Sequence, residues 1–442
     1  MRTDEHNPDV VIIGGGLAGL ASAIFLARQE KSIVLLERSH SLGGRAQTKE
    51  QDGFQLNLGP HALYRAGRGI EVLKELGIRP RGGLPQASGG FVVNGNVKHT
   101  LPAGPLSLLT TGLFGLAAKL ETARLLGSLR KIDGNSVMDI TVREWVDNNI
   151  SHPDVRNLAL ALFRLATYTN APEQMSAGAA IKQLQIAVSK NVLYLDGGWQ
   201  TLVDSLQEIA TRSGAIIRTG AKAGMVERNS AGQVMGVHLA NGEVYKTQNV
   251  IIASSPAIAV ELVEGGRRTS LQSWAEDAIP VKAACLDVAL THLPKPGATF
   301  ALGIDRPLYL SVHSAVARLA PTGGALIHLA KYLPPNDNEP ADRVERELET
   351  LLEMIQPGWR QALVYRRFLP EMIVYNAMTT ARRGGTKGRP GPEVQDVPGL
   401  LVAGDWVGKE GLLADASLAS AKEASRLLSV ARSPLSQIAV VN

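Results

Sequence analysis

The stretch from Asp9 to Thr48, DVVIIGGGLAGLASAIFLARQEKSIVLLERSHSLGGRAQT, decides how the rest of the chain is read. Val10 to Ile13 is a run of β-branched residues, the pattern of a parallel strand buried on both faces. It ends in glycines spaced G-x-G-x-x-G at Gly14, Gly16 and Gly19. The first permits a tight turn, the second lets a phosphate approach the backbone, and the third lets helix and strand pack closely. Leu17, Leu20, Ile24 and Ala27 recur at helical spacing, so the loop feeds a helix whose first N–H groups can receive a pyrophosphate. Ser32 to Leu36 reads as a second strand closed by Glu37. That places a carboxylate about twenty residues beyond the glycines, where it accepts from ribose hydroxyls and repels a 2′-phosphate. Strand, glycines, helix, strand and acid, in that order within about 30 residues, predict a dinucleotide-binding unit.

Around it are 442 residues, enough for two or three domain-sized units with substantial cores. The formal charge of +5 is small for this length, and no sustained basic run suggests a nucleic-acid partner. The one dense positive group, Arg382, Arg383, Lys387 and Arg389, reads as a solvated loop. A single cysteine, Cys285, excludes an internal disulfide or a redox pair and points to a reducing, cytoplasmic setting. The opening MRTDEHNPD has no apolar signal core, and no run reaches the length of a spanning helix. From Leu101 to Ile132 the chain reads as an amphipathic helical region broken by Lys119, Glu121, Arg124 and Arg130. It packs on its own domain, or it forms a tunnel wall or an element peripheral to the inner face of a membrane.

Asp52 to Tyr64 alternates like a strand, and residues 91–194 show helical recurrence. Strands return around a hairpin at Asn241-Gly242 and at Val250 to Ala253. Alternation in VKAACLDVAL, PLYLSVHSAV and ALIHLAKYL predicts an antiparallel sheet, followed by a helix from Arg343 to Ile355. The expected architecture is α/β: a Rossmann-type dinucleotide-binding domain from residues 1–90, 195–270 and 395–442, with an inserted α+β substrate domain of mixed sheet plus helices from 91–194 and 271–394. The histidines lack metal-like spacing, so no metal is expected.

The residues at both ends resemble the flavin-containing amine oxidase superfamily, which includes protoporphyrinogen oxidases, phytoene desaturases and related isoprenoid dehydrogenases. Gly43-Gly44-Arg45 directly continues the glycine loop, and LLVAGDW supplies Gly404 and Asp405. The resemblance implies non-covalent FAD, since no cysteine stands just upstream of PGLLVAGDW. It places Gly14, Gly16, Leu17, Ala18, Gly19, Glu37, Arg38, Gly43, Gly44 and Arg45 along the dinucleotide, with Arg45 on phosphate oxygens. It sets Gly59, Pro60 and His61 by the flavin ring, Val226 by adenine, and Gly404, Asp405, Ser417 and Leu418 at the ribityl chain and the following helix. His61 also reads as an N-cap or polar filler. That helix carries Ala416 and Ser417 where relatives begin with Gly-Ala, and Ala421 where they often carry glycine.

Chemistry then follows from the cofactor: substrate hydride to flavin N5, with reoxidation by oxygen or a quinone. Lys282 matches the lysine that many amine oxidases hold near N5, and reads equally as a snorkelling or edge lysine. Trp199, Tyr375 and Trp406 are candidates for the substrate cavity wall or for core. Leu413 replaces one aromatic residue of the amine-holding cage. The expected activity is therefore dehydrogenation of a hydrophobic isoprenoid, polyene or porphyrinogen-like molecule. The alternatives are an amine oxidase using Lys282, or a non-catalytic prenyl-binding protein like Rab escort and GDP-dissociation-inhibitor proteins.

Overall fold

The computed structural model describes residues 6–86 and 89–430. The N-terminal stretch read for a signal core and the tail of the segment 395–442 lie partly outside the described residues. A five-stranded parallel sheet runs in the order Ile216–Thr219, Ile33–Glu37, Val10–Ile13, Val250–Ile252, Leu400–Val402. Its middle strands come from the opening stretch, and its last strand comes from the far end of the chain. Val10 and Ile12 face a core shared with the helices Leu17–Ala27, Arg68–Glu75, Gln200–Arg212 and Leu413–Val430. Val11 and Ile13 face the opposite core, shared with a three-stranded meander, Ala223–Arg228, Val234–Leu239 and Val244–Lys246. Burial on both faces is what a continuous β-branched run requires. The meander turns at Asn241-Gly242, where Gly242 has φ +93°.

The first and last of those helices meet through the small buried residues Ala21, Ala421 and Ala424. Ser425 Oγ lies 3.5 Å from the carbonyl of Ser22. Close approach of the two helices is what brings the glycine loop and Gly404 to one place.

A second sheet has seven strands in the order Leu363–Tyr375, Val281–Leu290, Ala325–Leu333, Leu308–Val312, Phe300–Gly303, Gly90–Asn94, Val97–Thr100. All pairs are antiparallel except Phe300–Gly303 with Gly90–Asn94. Two of its parts differ from the sequence expectation. The hairpin Gly90–Thr100 lies where helices were anticipated; its two-residue Gly95-Asn96 turn, with Gly95 at φ +60°, joins two short runs. The 13-residue strand Leu363–Tyr375 lies at the sheet edge, so its arginines, Glu371 and Pro370 are tolerated and hide the alternation.

Along Val281–Leu290 the side chains alternate. Ala284, Leu286, Val288 and Leu290 pack against the helix Ala341–Ile355. Ala283 and Cys285 face the other way, toward Tyr309, Ala330, Tyr332 and Tyr168. Above that second face lie the helices Val142–Asn149, Pro153–Thr167 and Ala177–Lys190. The region Leu101 to Ile132 is two helices, Pro105–Thr110 and Leu116–Ser128, joined by a short turn. Among the described residues no helix is long and apolar enough to cross a membrane.

Candidate flavin site and the apolar face beside it

The glycine loop is built as its spacing requires. Gly14 has φ +113°, and a methyl group on Gly19 would stand 1.9 Å from the Gly14 carbonyl oxygen. By contrast, the nearest atom to a methyl on Gly16 is 3.8 Å away, so one flank of the loop is open. The helix Leu17–Ala27 starts there with no side-chain cap and no acid in its first turn. Its first N–H groups, alongside Leu17 and Ala18, cannot be satisfied within the helix. Glu37 Oε2 accepts the Gly15 N–H at 2.7 Å and Oε1 accepts that of Ser39 at 2.8 Å. The carboxylate thereby braces the loop, while Arg38 beside it is exposed. The Gly43 N–H donates to the Gly15 carbonyl at 2.8 Å, so the two Gly-rich turns share one surface.

Opposite ends of the chain join at Arg45. Its guanidinium contacts Asp405 Oδ2 at 2.6 Å and donates to the Val374 carbonyl at 2.9 Å. Asp405 is buried and also accepts from Asn376 Nδ2 at 2.9 Å. The Gly404 N–H donates to Ser420 Oγ. Arg389 is not the solvated residue its neighbours suggest: it is buried, and it donates to the carbonyls of Asp405, Glu410 and Gly411, holding the loop after Gly404. Burial pulls its guanidinium down to about 10, against the opposing charge of Asp405.

His61 stands between the carbonyls of Gly59 (3.1 Å) and Arg45 (3.0 Å), with its ring edge-on to Trp199 at 5.1 Å. Two carbonyls ask for two donors, which only imidazolium offers. Burial nevertheless outweighs them and lowers the imidazole below its ordinary value. Asn57, two residues before Gly59, is a buried hub. Its Oδ1 accepts from Thr48 Oγ1 (2.7 Å) and the Trp199 N–H (3.0 Å), while its carbonyl accepts from Arg367.

Arg367 in turn grips Asp287 Oδ2, and Asp287 Oδ1 lies 2.6 Å from His328 Nδ1, with both side chains fully buried. Burial raises the Asp287 carboxyl, but the charges and hydrogen bonds of His328 and Arg367 prevail and hold it below the carboxylate range. Cys285 is also enclosed: a methyl on Gly59, at φ +74°, would come within 2.7 Å of its Sγ. Burial pushes that thiol well up, which makes it a packing residue and not a nucleophile.

Lys282 lies elsewhere. It alternates with Ala283 and Cys285, pairs across the sheet with Leu333 and forms an ion pair with Glu371. It therefore shares the sheet face of Ala284 and Leu286 and does not point at Gly59, which corrects the inward-pointing reading. Trp406 is packed against Trp274, and its Nε1 donates to the Ser254 carbonyl at 2.8 Å, in the core behind the parallel sheet. That placement removes it from a cavity wall. Tyr375 is buried with its hydroxyl 2.7 Å from Thr169 Oγ1. Val226 is buried in the meander and bridges to Val263. The last helix starts at Leu413, so Ala416 and Ser417 fall within its first turns and Leu418 is buried against Gly69.

Sequence reasoning missed Tyr168 and Asp415. Tyr168 ends the helix Pro153–Thr167 at φ +59° and donates its hydroxyl to the Pro60 carbonyl at 3.1 Å. A bulky residue in that left-handed cap has no sequence signature, because glycine is the usual choice there. Asp415 is buried, accepts the Gly69 N–H at 2.8 Å with Oδ1, and has no partner for Oδ2 among the described residues. Burial raises it to about 7, with the Gly69 N–H opposing. Between pH of about 4 and 7 the unfolded chain has released this proton while the folded chain keeps it, so stability falls as pH rises through that window. Asp415→Asn is expected to stabilise the protein at pH 8 by about 2 to 4 kcal/mol and to change little near pH 4. Urea denaturation at the two pH values reads the difference.

A parallel sheet opened by a glycine loop, closed by a far C-terminal strand and clamped by Arg45 and Asp405 defines a dinucleotide-binding fold. The chain is a member of the flavin-containing amine oxidoreductase family, whose model matches residues 17–429. It is 23% identical over 276 residues to 4,4'-diaponeurosporene oxygenase of Staphylococcus aureus (strain USA300), covering 55% of this chain and 54% of that protein. The chain thus spans about half the length of the curated relatives it matches. Its fold is similar to an oxidoreductase from Methanosarcina mazei, with a TM-score of 0.72 at 19% identity over 95% of this chain and 99% of that one. A protein assigned as protoporphyrinogen oxidase from Exiguobacterium sp. 255-15 gives 0.71 at 20% identity over 96% and 99%. Cyclohexylamine oxidase from Brevibacterium oxydans IH-35A gives 0.68 at 16% identity over 96% and 98%.

The residues present fit a flavin dinucleotide on two counts. The flank beside Gly16 is open and lined by free helix N–H groups, as a phosphate requires. The buried indole N–H of Trp199, beside His61, has no acceptor among the described residues.

Proposed function

We propose that the protein uses non-covalent FAD to dehydrogenate a hydrophobic small molecule of the isoprenoid, polyene or porphyrinogen-like class. Residues 1–90, 195–270 and 395–442 form its nucleotide-binding unit, and 91–194 with 271–394 its substrate unit. When bound, the flavin takes the two electrons removed from substrate and passes them to oxygen or a quinone. The glycines, Glu37, Arg45 and Asp405 hold the dinucleotide, and Gly59 to His61 with Trp199 border its ring.

The observation that carries the substrate class is the composition of the sheet face against Gly59 and Pro60. Around the buried Cys285, Tyr309 and Tyr332 stand Leu165, Tyr168, Phe300, Leu369, Met372 and Val374, all partly accessible, while the charges on the same face, Asp287 and Arg367, are paired with each other. Such a wall excludes water and recognises apolar shape. The name of the diaponeurosporene relative supports the polyene reading. The amine reading draws on cyclohexylamine oxidase among the fold neighbours, but the one lysine assigned to it is ion-paired on the other sheet face. A lipid-soluble substrate also favours a cytoplasmic protein in peripheral contact with a membrane.

Anaerobic mixing of the purified holoprotein with cyclohexylamine, putrescine, a dispersed polyene and a porphyrinogen tests the proposal. Bleaching of the flavin spectrum by the polyene or the porphyrinogen is expected; bleaching by amines alone overturns it. Lys282→Met is expected to leave reduction and reoxidation rates within about twofold, since its carboxylate partner already occupies it. A loss of several decades returns Lys282 to the site.

A further inference from the structure

We propose that the helices Pro105–Thr110 and Leu116–Ser128 dock the protein onto a bilayer carrying anionic lipid, with Leu106, Leu109, Leu116 and Leu120 entering its surface. The five most exposed large apolar side chains among the described residues all fall between 97 and 120: Leu106 and Leu116 at 75%, Leu109 at 67%, Val97 at 56% and Leu120 at 55%. Isolated exposed leucines are ordinary, whereas a group of them on adjoining elements marks an interaction surface.

The elements do adjoin. Lys119 Nζ donates to the Leu109 carbonyl at 2.6 Å, tying the second helix to the end of the first. Thr111 Oγ1 donates to the Thr100 carbonyl at 2.9 Å, tying both to the hairpin that carries Val97. Leu116 and Leu120 are one turn apart on one helix, as Leu106 and Leu109 are on the other. The aromatic Phe114 between them is buried and holds the pair to the body of the protein.

Charge identifies the partner. Residues 97–131 hold Lys98, Lys119, Arg124, Arg130 and Lys131 against the single acid Glu121, which is +4 of the chain's formal +5. Glu121 is turned inward, accepting the N–H groups of Ser151 (2.7 Å) and His152 (2.9 Å). Arg124 and Lys131 are exposed. Leucines fringed by cations, without exposed aromatic anchors, match an anionic headgroup layer better than a protein groove. The purpose of the surface rests on the proposed lipid-soluble substrate; its existence does not.

The test uses the full-length holoprotein and vesicles without substrate. Sedimentation with phosphatidylcholine vesicles containing phosphatidylglycerol is expected to pull the protein down, weakly with phosphatidylcholine alone, and less as salt rises. The variant L106E/L109E/L116E/L120E, whose positions face solvent, should keep its flavin spectrum and lose binding at least about tenfold. R124E/K131E should lose only the preference for anionic vesicles. Wild type left in the supernatant, or a quadruple variant that binds equally, overturns the proposal. So does a wild-type dimer that the leucine changes dissociate, which assigns the face to a second copy. Flavin reduction by detergent-dispersed polyene is independent of these substitutions, so failure of the substrate reading and failure of docking are told apart.

Discussion

Gly19→Ala yields a colourless, destabilised protein. The added methyl meets the Gly14 carbonyl oxygen at 1.9 Å, a backbone atom that cannot move without opening the turn. Relief requires the helix Leu17–Ala27 to shift off the first strand, at a cost of roughly 3 kcal/mol, and the shift misaims the N–H groups that face the phosphates. Gly16→Ala separates the two effects. Gly16 already has φ −81°, and the nearest atom to its added methyl is 3.8 Å away. This variant should keep the apoprotein's melting temperature and lose flavin affinity, because the methyl occupies the open flank. Absorbance of the purified proteins and thermal melts with and without added FAD give the answer. A yellow Gly19→Ala protein with unchanged melting removes the loop from the cofactor site.

The second large effect lies at Asp287. Replacing it with alanine leaves the guanidinium of Arg367 facing a fully buried His328 with no counter-charge. Breaking a buried pair from one side costs about 3 to 5 kcal/mol, a large part of the roughly 5 to 15 kcal/mol that keeps a typical protein folded. Because Arg367 also holds the Asn57 carbonyl, the loss extends to Gly59 and His61. Adding Arg367→Met to the alanine variant should recover part of it. The pH dependence has a definite sign. The folded carboxyl titrates below its unfolded value, so its contribution is complete above pH of about 4 and is lost as pH falls through the folded value. Wild type and Asp287→Asn should therefore differ most at neutral pH and draw together as pH falls below about 4. A constant gap in urea denaturation across that range contradicts the charge account.

Much of the parallel sheet and its glycine loop is legible in the order of residues, because its signals are local. Glycines with special backbone needs, a β-branched strand and a helix period all fall within about 30 residues, so position dictates role. The resemblance places Arg45 and Asp405 each along the dinucleotide, but their ion pair with one another has no signal in the sequence, since no local pattern specifies a contact across the whole chain. The seven-stranded sheet reads less well. Lys282 was the natural suspect, but which side of a sheet a residue takes depends on register. A shift of one position moves it from one face to the other. The Asp287, His328 and Arg367 network is invisible for a similar reason: its members lie on three different strands, brought together by pairing between Val281–Leu290 and both its neighbours. Trp406 reads equally as cavity wall or core in the sequence, and its indole donating to Ser254 selects the core.

The strand Leu400–Val402 completes the parallel sheet, and Asp405 follows it to meet Arg45. During synthesis, then, the first two strands of this sheet emerge early, but the sheet cannot finish until residues 400–402 have been translated. Until that strand arrives, Val250–Ile252 presents an unpaired margin, a template for wrong partners. Yield in a recombinant host should accordingly depend on translation speed more than on the melting point of the finished protein.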